Sequence, residues 1–441
     1  MNPVRDKVVV LSMLSLSVAL IVFILLVFNQ GIQGMSNEDN LADTDPIDVV
    51  DATIDATAVE ASSYVIVNPY ANVDWENFGQ FKTSLHNHSL NSDGVATTAE
   101  MVERLYALGY DIAAITDHNY LSSRWSEVSI GAMSTEREEE ILAGEDRNGR
   151  PLFPVPFSGE QSGGEHLNSF FVKFDNSVEM STEDALSLVE EMDGISFLNH
   201  LGYYTGGSEG GQTGLDASND REVIQKYTYL FMNYPSCIGM EIFNKRDTKS
   251  QSDRVLWDNI LMQTMPQGRP VWGFANDDAH KLGRIGFSFN VLLIDRDEFL
   301  RSGLDGLDAR NAEELREQSA SNPIRTAMTD GAFYAVSRID RRENINDAAS
   351  LSENELGDLL LQSTPSIRNI SVDETAATIT ISGADYDIIE WIADGIVIST
   401  GEVLDVPANT MRINSYVRAQ LRSSSGIAFT QPFGIAHVNS R

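Results

Sequence analysis

Residues 109–118, Gly-Tyr-Asp-Ile-Ala-Ala-Ile-Thr-Asp-His, decide the predicted fold class. Gly109 is a typical residue to end a helix. The apolar run 112–115 that follows is typical of a short buried strand. The run leads directly into Asp117 and His118, which are polar residues of the kind that bind metals. A helix, a buried strand and a polar cluster in this order predict one unit of an α/β fold.

Similar strand-like runs recur along the chain, and most of them end next to histidine or acidic residues. They cover residues 81–85, 111–116, 153–158, 167–174, 195–198, 238–243 and 271–275. Helices are predicted between them, one opened by the capping box Thr97-x-x-Glu100 and one over 181–192. Alternating strands and helices predict an α/β fold with a parallel sheet, closed here into a barrel. In such barrels the catalytic groups lie at the carboxyl ends of the strands.

Six of the seven histidines lie in short polar clusters at these strand ends. The clusters are His86-Asn-His88 with Asp93, Asp117-His118, Glu160 with His166, Asn199-His200, and Asp277-Asp278-Ala-His280. Imidazole nitrogens and carboxylate oxygens are the usual ligands of zinc, manganese and iron. One histidine alone is more often a core or surface residue, as His437 is expected to be, but this recurrence predicts a polynuclear metal site. Cys237 is the single cysteine, so the site depends on nitrogen and oxygen ligands.

Such a site predicts a metal-dependent hydrolase. A metal-bound water gives hydroxide near neutral pH, and two neighbouring ions can hold it beside an electrophile. A phosphoryl centre suits this arrangement best, so a phosphoesterase is the first interpretation. A carboxyl ester or carbamate hydrolase is the alternative, and a non-catalytic binding module with a structural metal is a third. Four cations follow strand ends and are either contacts for an anionic substrate or solvated surface charges: Lys245, Arg246, Lys281 and Arg284.

The same clusters resemble the motifs of the polymerase and histidinol phosphatase (PHP) domain family. The resemblance covers roughly residues 80 to 338, in five motifs that follow the family's order and approximate spacing. The motifs are His-Asn-His-Ser-Leu-Asn-Ser-Asp-Gly at 86–94, Ile-Thr-Asp-His-Asn at 115–119, Ser-Gly-Glu160 with His166, Asn-His200, and Asp-Asp-Ala-His280. The family implies a distorted seven-stranded (β/α) barrel. The carboxy-terminal half of this chain also resembles a secreted branch of the family, which includes ester hydrolases.

The resemblance also implies how the ligands share ions. Glu160 would bridge two ions, one held with His86, His88 and Asp278, and the other with His166 and His200. A third position would be completed by Asp93, His118 and His280. The cofactor expected is therefore two to three divalent ions of manganese, zinc or iron, with Glu160, Asp278 and His200 as the catalytic residues.

Several polar residues near the clusters have open roles. Asp117 and Asp277 either orient the neighbouring imidazoles from behind or are structural. Glu241 and Asn244 either face the site or do not. Gly206-Gly-Ser208-Glu-Gly210 fits the G-x-S-x-G pattern of a serine nucleophile. That pattern requires a strand before it and a helix after it, so a mobile loop in a glycine-rich run is the favoured interpretation.

The amino-terminal segment predicts a membrane anchor. Positions 8–28 carry no charge, and as a helix they would extend roughly 31 Å, enough to cross a bilayer. Arg5 and Lys7 precede them and no basic residue follows before Lys82, so the rest of the chain is expected outside the cytoplasm, in the periplasm or at the cell surface. A cleaved signal peptide is the rival interpretation.

Composition and charge complete the predicted organisation. The expected regions are a transmembrane segment 1–28, an acidic linker 29–70, a hydrolase domain 71–340 and an accessory domain 341–441. The accessory domain contains short strands in which apolar and polar residues alternate, and it is predicted to be a small antiparallel β-sandwich. The chain has 65 acidic and 31 basic residues, a net charge of −34. Such a surface repels polyanions, so we expect a small-molecule substrate, a phosphate ester, and no stable binding of nucleic acid.

Overall fold

A computed structural model of the chain describes residues 64–173, 180–202, 212–245, 252–339 and 351–437. They belong to one compact unit, Val59–Arg441, which includes both the predicted hydrolase region and the predicted accessory region. The fold is mixed α/β.

The described residues form strands and helices that are numbered in chain order. The strands are β1 (Tyr64–Val67), β2 (Phe78–Ser84), β3 (Ile112–Ala113), β4 (Phe153–Pro154), β5 (Gly159–Gln161), β6 (Leu167–Phe170), β7 (Ile195–Leu198), β8 (Cys237–Phe243), β9 (Trp272–Ala275), β10 (Ser288–Asp295), β11 (Phe333–Ser337), β12 (Ser366–Asp373), β13 (Thr378–Ala384), β14 (Ile388–Ala393), β15 (Ile396–Thr400), β16 (Val403–Asp405), β17 (Tyr416–Ser423), β18 (Gly426–Phe429) and β19 (Phe433–His437). The helices are α1 (Thr98–Ala107), α2 (Thr135–Leu142), α3 (Thr182–Glu191), α4 (Gln212–Ser218), α5 (Arg221–Asn233), α6 (Asp253–Thr264), α7 (Arg296–Ser302), α8 (Ala312–Ser319), α9 (Pro323–Asp330) and α10 (Glu353–Leu361). Short 3-10 helices lie at Met265–Gln267, Leu282–Arg284 and Pro407–Arg412.

Local sequence signals account for many of these boundaries. The capping box predicted at Thr97 and Glu100 is present, because each of the two residues bonds the backbone of the other, and α1 begins directly after it. Asp394 and Gly395 join β14 to β15 with positive φ angles of 50° and 72°. A two-residue hairpin turn of this type requires positive φ at both positions, which Asp and Gly tolerate best.

The described strands form three sheets. An eleven-stranded sheet runs in the order β1-β19-β17-β18-β11-β10-β2-β3-β4, with β14 and β15 branching from β17. A five-stranded sheet runs β5-β6-β7-β8-β9, and a three-stranded sheet runs β12-β13-β16. The strand pairs β2–β3, β3–β4, β7–β8 and β8–β9 are parallel. Parallel neighbours place their carboxyl ends at one edge, and four of the five predicted ligand clusters follow these ends, whereas Glu160 lies within β5.

The predicted seven-stranded barrel is not confirmed, because the described strands do not form a closed ring. The larger two sheets instead meet at two single parallel bridges, Asn87 with Ala279 and His118 with Glu160. In addition, β6 pairs antiparallel with both β5 and β7. Alternation of strands and helices along a sequence predicts that strands exist but does not determine the direction of each one relative to its neighbours. That is why a closed parallel arrangement does not follow from it.

The predicted separate β-sandwich over 341–441 is also not confirmed. Strand β18 pairs with β11, with Ala335 opposite Phe429. Strands β14, β15, β17, β18 and β19 therefore belong to the sheet that carries β2 and β3, whereas β12, β13 and β16 form the separate three-stranded sheet. A buried ion pair adds to this connection. Arg418 on β17 donates two hydrogen bonds of 2.8 and 2.7 Å to Asp258 on α6, and the Tyr416 hydroxyl donates a third of 2.9 Å.

The predictions of a transmembrane anchor and of a periplasmic or cell-surface location are contradicted. Among the helices of the described residues, none has the length and apolar composition that a membrane span requires. The apolar stretch 8–28, on which those predictions depend, lies outside the described residues, as does the linker up to residue 63. An apolar run in a sequence establishes hydropathy and does not by itself establish a membrane-spanning helix.

We predict that Arg418→Met destabilises the chain by about 3–5 kcal/mol, because it leaves the Asp258 carboxylate buried without its counter-charge. Both side chains are 4% exposed, so water cannot replace the lost partner. Chemical denaturation followed by circular dichroism measures the effect. The control is Arg310→Gln, which removes a charge that is 83% exposed and pairs with Glu314. Equal unfolding midpoints for the two variants would contradict the prediction.

Candidate metal centre

The two bridges between the sheets bring the predicted ligand clusters together. The amide of His88 donates to the carbonyl of Ala279 at 2.9 Å, which places the His86-Asn-His88 segment beside Asp278 and His280. The amide of Asn119 donates to the carbonyl of Glu160 at 2.7 Å, which places His118 beside Glu160. The ligands therefore converge because ordinary backbone pairing aligns the strand ends.

The floor of the site is a buried group of His86, His88 and Asp278, with side chains at most 1% exposed. The two Nε2 atoms are 3.1 Å apart. Asp278 Oδ1 lies 3.5 Å from His86 Nε2 and 3.2 Å from His88 Nε2. Ligands held about 2.0–2.1 Å from one tetrahedral ion are separated by about 3.3–3.4 Å. These three atoms thus have the mutual spacing of ligands around a single ion.

Glu160 lies beside this floor with its side chain fully buried among five histidines. Its Oε1 atom faces His86 Nε2 at 3.4 Å, His166 Nδ1 at 3.0 Å and His200 Nε2 at 3.5 Å. Its Oε2 atom faces His118 Nδ1 at 3.0 Å and His88 Nε2 at 3.3 Å. The two oxygens therefore face different sets of nitrogens, which is the geometry a bridging carboxylate needs.

The mouth of the site consists of Asp93, His118 and His280, with side chains 56%, 24% and 27% exposed. Asp93 Oδ1 is 3.6 Å from His118 Nε2, and Asp93 Oδ2 is 3.1 Å from His280 Nε2. His88 Nδ1 is 3.6 Å from the same carboxylate. A buried floor and an accessible mouth give the site a direction along which a solute can approach.

The residues present fit divalent ions. Four groupings of three or four ligand atoms satisfy the spacing of a metal site: His86, His88 and Asp278; His86, Glu160 and His200; His118, Glu160 and His166; and His88, Asp93, His118 and His280. Within the described residues, the buried atoms Glu160 Oε2 and His118 Nδ1 have no hydrogen-bond partner although they are 3.0 Å apart. Both atoms are therefore available to bind an ion. His86 belongs to two of these groupings, and its Nε2 atom can bind one ion at a time. The four groupings therefore describe fewer than four ions.

The carboxylates at the centre are held ionised. Burial opposes the ionisation of Glu160, but the charge of His86 and close contacts with the imidazoles of His118, His166 and His200 hold its pKa well below the usual range. Asp278 behaves in the same way: burial raises its pKa, yet His86, His88 and Lys245 together hold that pKa well below the usual range. Two buried anionic ligands favour the binding of cations.

Glu241 is the supporting carboxylate of the site, a role that the sequence leaves open. Its Oε1 atom accepts from His86 Nδ1 at 2.8 Å and from Asn276 Nδ2 at 2.9 Å. Its Oε2 atom accepts from the His200 amide at 3.0 Å and from Asn244 Nδ2 at 2.8 Å. The bond to Nδ1 directs Nε2 of His86 toward the other ligands. The sequence signal is an acidic residue within a strand, β8, that is otherwise apolar and buried throughout.

Among the described residues, Asp117 and Asp277 accept hydrogen bonds from backbone amides and hydroxyl groups. Asp117 accepts from the amide and hydroxyl of Ser89 at 2.7 and 2.6 Å, and from the Ser92 hydroxyl at 2.7 Å. Asp277 accepts from the amides of Gly286 and Ser288 at 2.6 and 2.8 Å. Burial raises the pKa of Asp277 to about 7, against the lowering effect of these amide bonds. Both residues fix the loops behind the ligands.

Three residues of the site adopt left-handed backbone conformations. The φ angles are 33° at His200, 46° at Asp278 and 48° at Lys245. Non-glycine residues rarely occupy this region, and when they do the surrounding structure must compensate for the strain. The backbone at the carboxyl ends of β7, β8 and β9 is therefore shaped to direct these side chains.

The structure brings one of the four tentative substrate cations to the ligands. Lys245 Nζ lies 2.8 Å from Asp278 Oδ2. Lys281 is exposed and Arg284 is half-buried, and in the described part of the chain neither forms an ion pair with Asp278. Arg246 and the Ser208 motif lie outside the described residues. His437 lies apart from the cluster, with its ring 5.0 Å from that of Tyr64.

We predict that Glu160→Gln lowers metal affinity by more than tenfold, since even a residue that only supports a ligand is worth about 10–100-fold. The amide offers one acceptor oxygen where the carboxylate offers two, and it removes a buried negative charge. Metal content after dialysis, measured by atomic emission, checks this. Glu374→Gln, at an exposed position, is the matched control. Full metal content in Glu160→Gln would show that this carboxylate is not a bridge.

A second prediction concerns Glu241→Gln. Each oxygen of Glu241 accepts two hydrogen bonds. The substitution replaces one of these oxygens with an amide nitrogen, which is itself a donor and would face two other donors. We expect metal affinity to fall by about tenfold or more while the far-ultraviolet circular dichroism spectrum stays unchanged. Isothermal titration with Mn²⁺ measures the affinity. An affinity equal to that of the unmodified chain would exclude the supporting role.

Comparisons with known proteins find similarity to solved structures. No protein-family model matches the chain, and no curated protein matches it. A two-domain protein from Bacteroides vulgatus containing a predicted PHP-like metal-dependent phosphoesterase is 14% identical over 82% of this chain and 96% of its own, with a TM-score of 0.38. A provisionally assigned metal-dependent phosphoesterase from Bifidobacterium adolescentis is 16% identical over 46% of this chain and 88% of its own, with a TM-score of 0.28.

A lesion-specific endonuclease from Pyrococcus furiosus is 14% identical over 51% of this chain and 56% of its own, with a TM-score of 0.28. At these identities and TM-scores, the likenesses do not indicate what this chain acts on. Solved structures similar to this chain thus include PHP-like metal-dependent phosphoesterases, the family that its motifs resemble.

Proposed function

We propose that the chain is a metal-dependent hydrolase that cleaves phosphate esters of small molecules. The observation that carries the proposal is the convergence of His86 Nε2, His88 Nε2 and Asp278 Oδ1 within 3.1–3.5 Å of one another, beside the buried Glu160. Spacing of this kind matches the ligands of an ion. It is costly to maintain without one, because it crowds imidazoles and carboxylates away from water.

The site residues have distinct roles in this proposal. Divalent ions would supply charge neutralisation and acidify water. Glu160, Asp278 and His200 form the catalytic group, because their side chains would surround the position at which the phosphate ester is cleaved. His86 and His88 complete the floor, and Glu241 fixes the ring of His86. Asp93, His118, His166 and His280 complete two to three ion positions, for which manganese, zinc and iron all suit the ligands.

The positive charge of Lys245 beside the ligands favours a phosphate ester over a carboxyl ester. Lys245 places an ammonium group 36% exposed beside the ligands. An anionic phosphoryl group can contact this ammonium, whereas a neutral ester offers no charge to pair with it. Hydrolysis of a carboxyl ester or carbamate remains the second candidate, because the metal ligands serve both reactions. We assign the chemistry to the proposed hydrolase region 71–340 and packing to 341–441.

A small substrate fits the overall charge better than a nucleic acid does. The net charge of −34 opposes the approach of a long polyanion, whose binding depends on many cationic contacts. A single phosphate ester needs only local positive charge, which bound ions and Lys245 would supply.

We predict that the metal-loaded chain hydrolyses a phosphomonoester or phosphodiester faster than a carboxyl ester. The test is a panel of chromogenic substrates with Mn²⁺ or Zn²⁺, repeated after chelation and after metal is restored. Phosphate-ester turnover should vanish with the chelator and return with the metal. Turnover of carboxyl esters alone would move the chain to the second candidate. Bound metal without any turnover would favour a binding module.

A further inference from the structure

Asp278 divides its two oxygens between different partners. Oδ1 faces His88 Nε2 at 3.2 Å, His86 Nε2 at 3.5 Å and His280 Nδ1 at 3.3 Å. Oδ2 faces Lys245 Nζ at 2.8 Å and His200 Nε2 at 3.7 Å. One oxygen therefore points to the candidate metal position, and the other is held by an ammonium group.

Lys245 is placed by the fold rather than by chance contact. It follows β8, the strand that carries Glu241, and its backbone adopts the left-handed conformation, with a φ of 48°. Asp278 is nearly fully buried, whereas Lys245 is 36% exposed. The ammonium thus contacts the buried carboxylate while the lysine side chain stays partly accessible to solvent.

The charge balance of this pair depends on whether an ion is bound. Without an ion, the ammonium is a positive charge 2.8 Å from the Asp278 carboxylate. A divalent ion on His86, His88 and Asp278 would neutralise that carboxylate and add positive charge close to Nζ. Two cations sharing one carboxylate repel each other, so the ammonium would gain free energy by contacting an anion beside the ligands.

On this basis, which rests on the proposed function, we propose that Lys245 competes with the metal for Asp278 and, once the metal is bound, becomes the contact for the anionic group of the substrate. The substrate would therefore carry a negative charge within reach of a side chain beside the metals. Metal would bind before substrate, since an ammonium held by Asp278 is less available to an anion.

Lys245→Met tests the proposal, because it keeps a side chain of similar length and removes the charge. Mn²⁺ affinity and inorganic phosphate affinity of the Mn²⁺-saturated chain are both measured by isothermal titration. We expect Mn²⁺ affinity to rise, by up to about tenfold, since a competing cation is gone. We expect phosphate affinity to fall by about tenfold or more, which corresponds to about 1.4 kcal/mol. Lys245→Arg should retain most of the phosphate affinity.

The matched control is Arg310→Gln, which removes one positive charge at an exposed site paired with Glu314 and should change neither affinity. Unchanged phosphate affinity in Lys245→Met would overturn the proposal. Unchanged or lower Mn²⁺ affinity in that variant would also overturn it, since Lys245 would then not compete with the metal for Asp278. Failure of the unmodified chain to bind Mn²⁺ would instead reject the proposed function itself.

Discussion

The structure depends on a buried carboxylate surrounded by imidazoles. Glu160 places each of its oxygens against separate histidines from different strand ends. Burial of an anion is unfavourable unless it is paired and hydrogen-bonded, so the arrangement is stable only if all of these strands keep their register. The bridges at Asn87–Ala279 and His118–Glu160 impose that register. The same backbone pairing therefore joins the two sheets and positions the ligands of the site.

Most of the site can be predicted from the sequence because metal ligands are polar residues at the ends of apolar strands. His86, His88, Glu160, His200 and Asp278 stand out in this way, and the structure brings them together. A closed barrel is not found because strand direction depends on pairing between distant segments, which periodicity does not report. For the same reason, alternation predicts a separate carboxy-terminal sandwich although β18 pairs with β11.

The supporting residues are harder to predict than the ligands. Glu241 is one acid in an apolar strand, and only its contact with His86 Nδ1 distinguishes a supporting role from a structural one. Asp117 and Asp277 sit next to ligands in sequence but turn toward backbone amides and hydroxyls. Adjacency along a strand end places neighbouring side chains on opposite faces. A residue beside a ligand is therefore more often directed away from the metal than toward it.

The pairing of the first and last described strands bears on how this fold tolerates rearrangement. Strand β1 pairs with β19, with Tyr64 opposite His437, so the two ends of the described residues are adjacent. Joining them by a short loop and opening the chain in a distant surface turn would leave the pairing of every strand intact. The order of the ligand motifs along the polypeptide is thus not required by the geometry of the site, and a circularly permuted chain could present the same cluster.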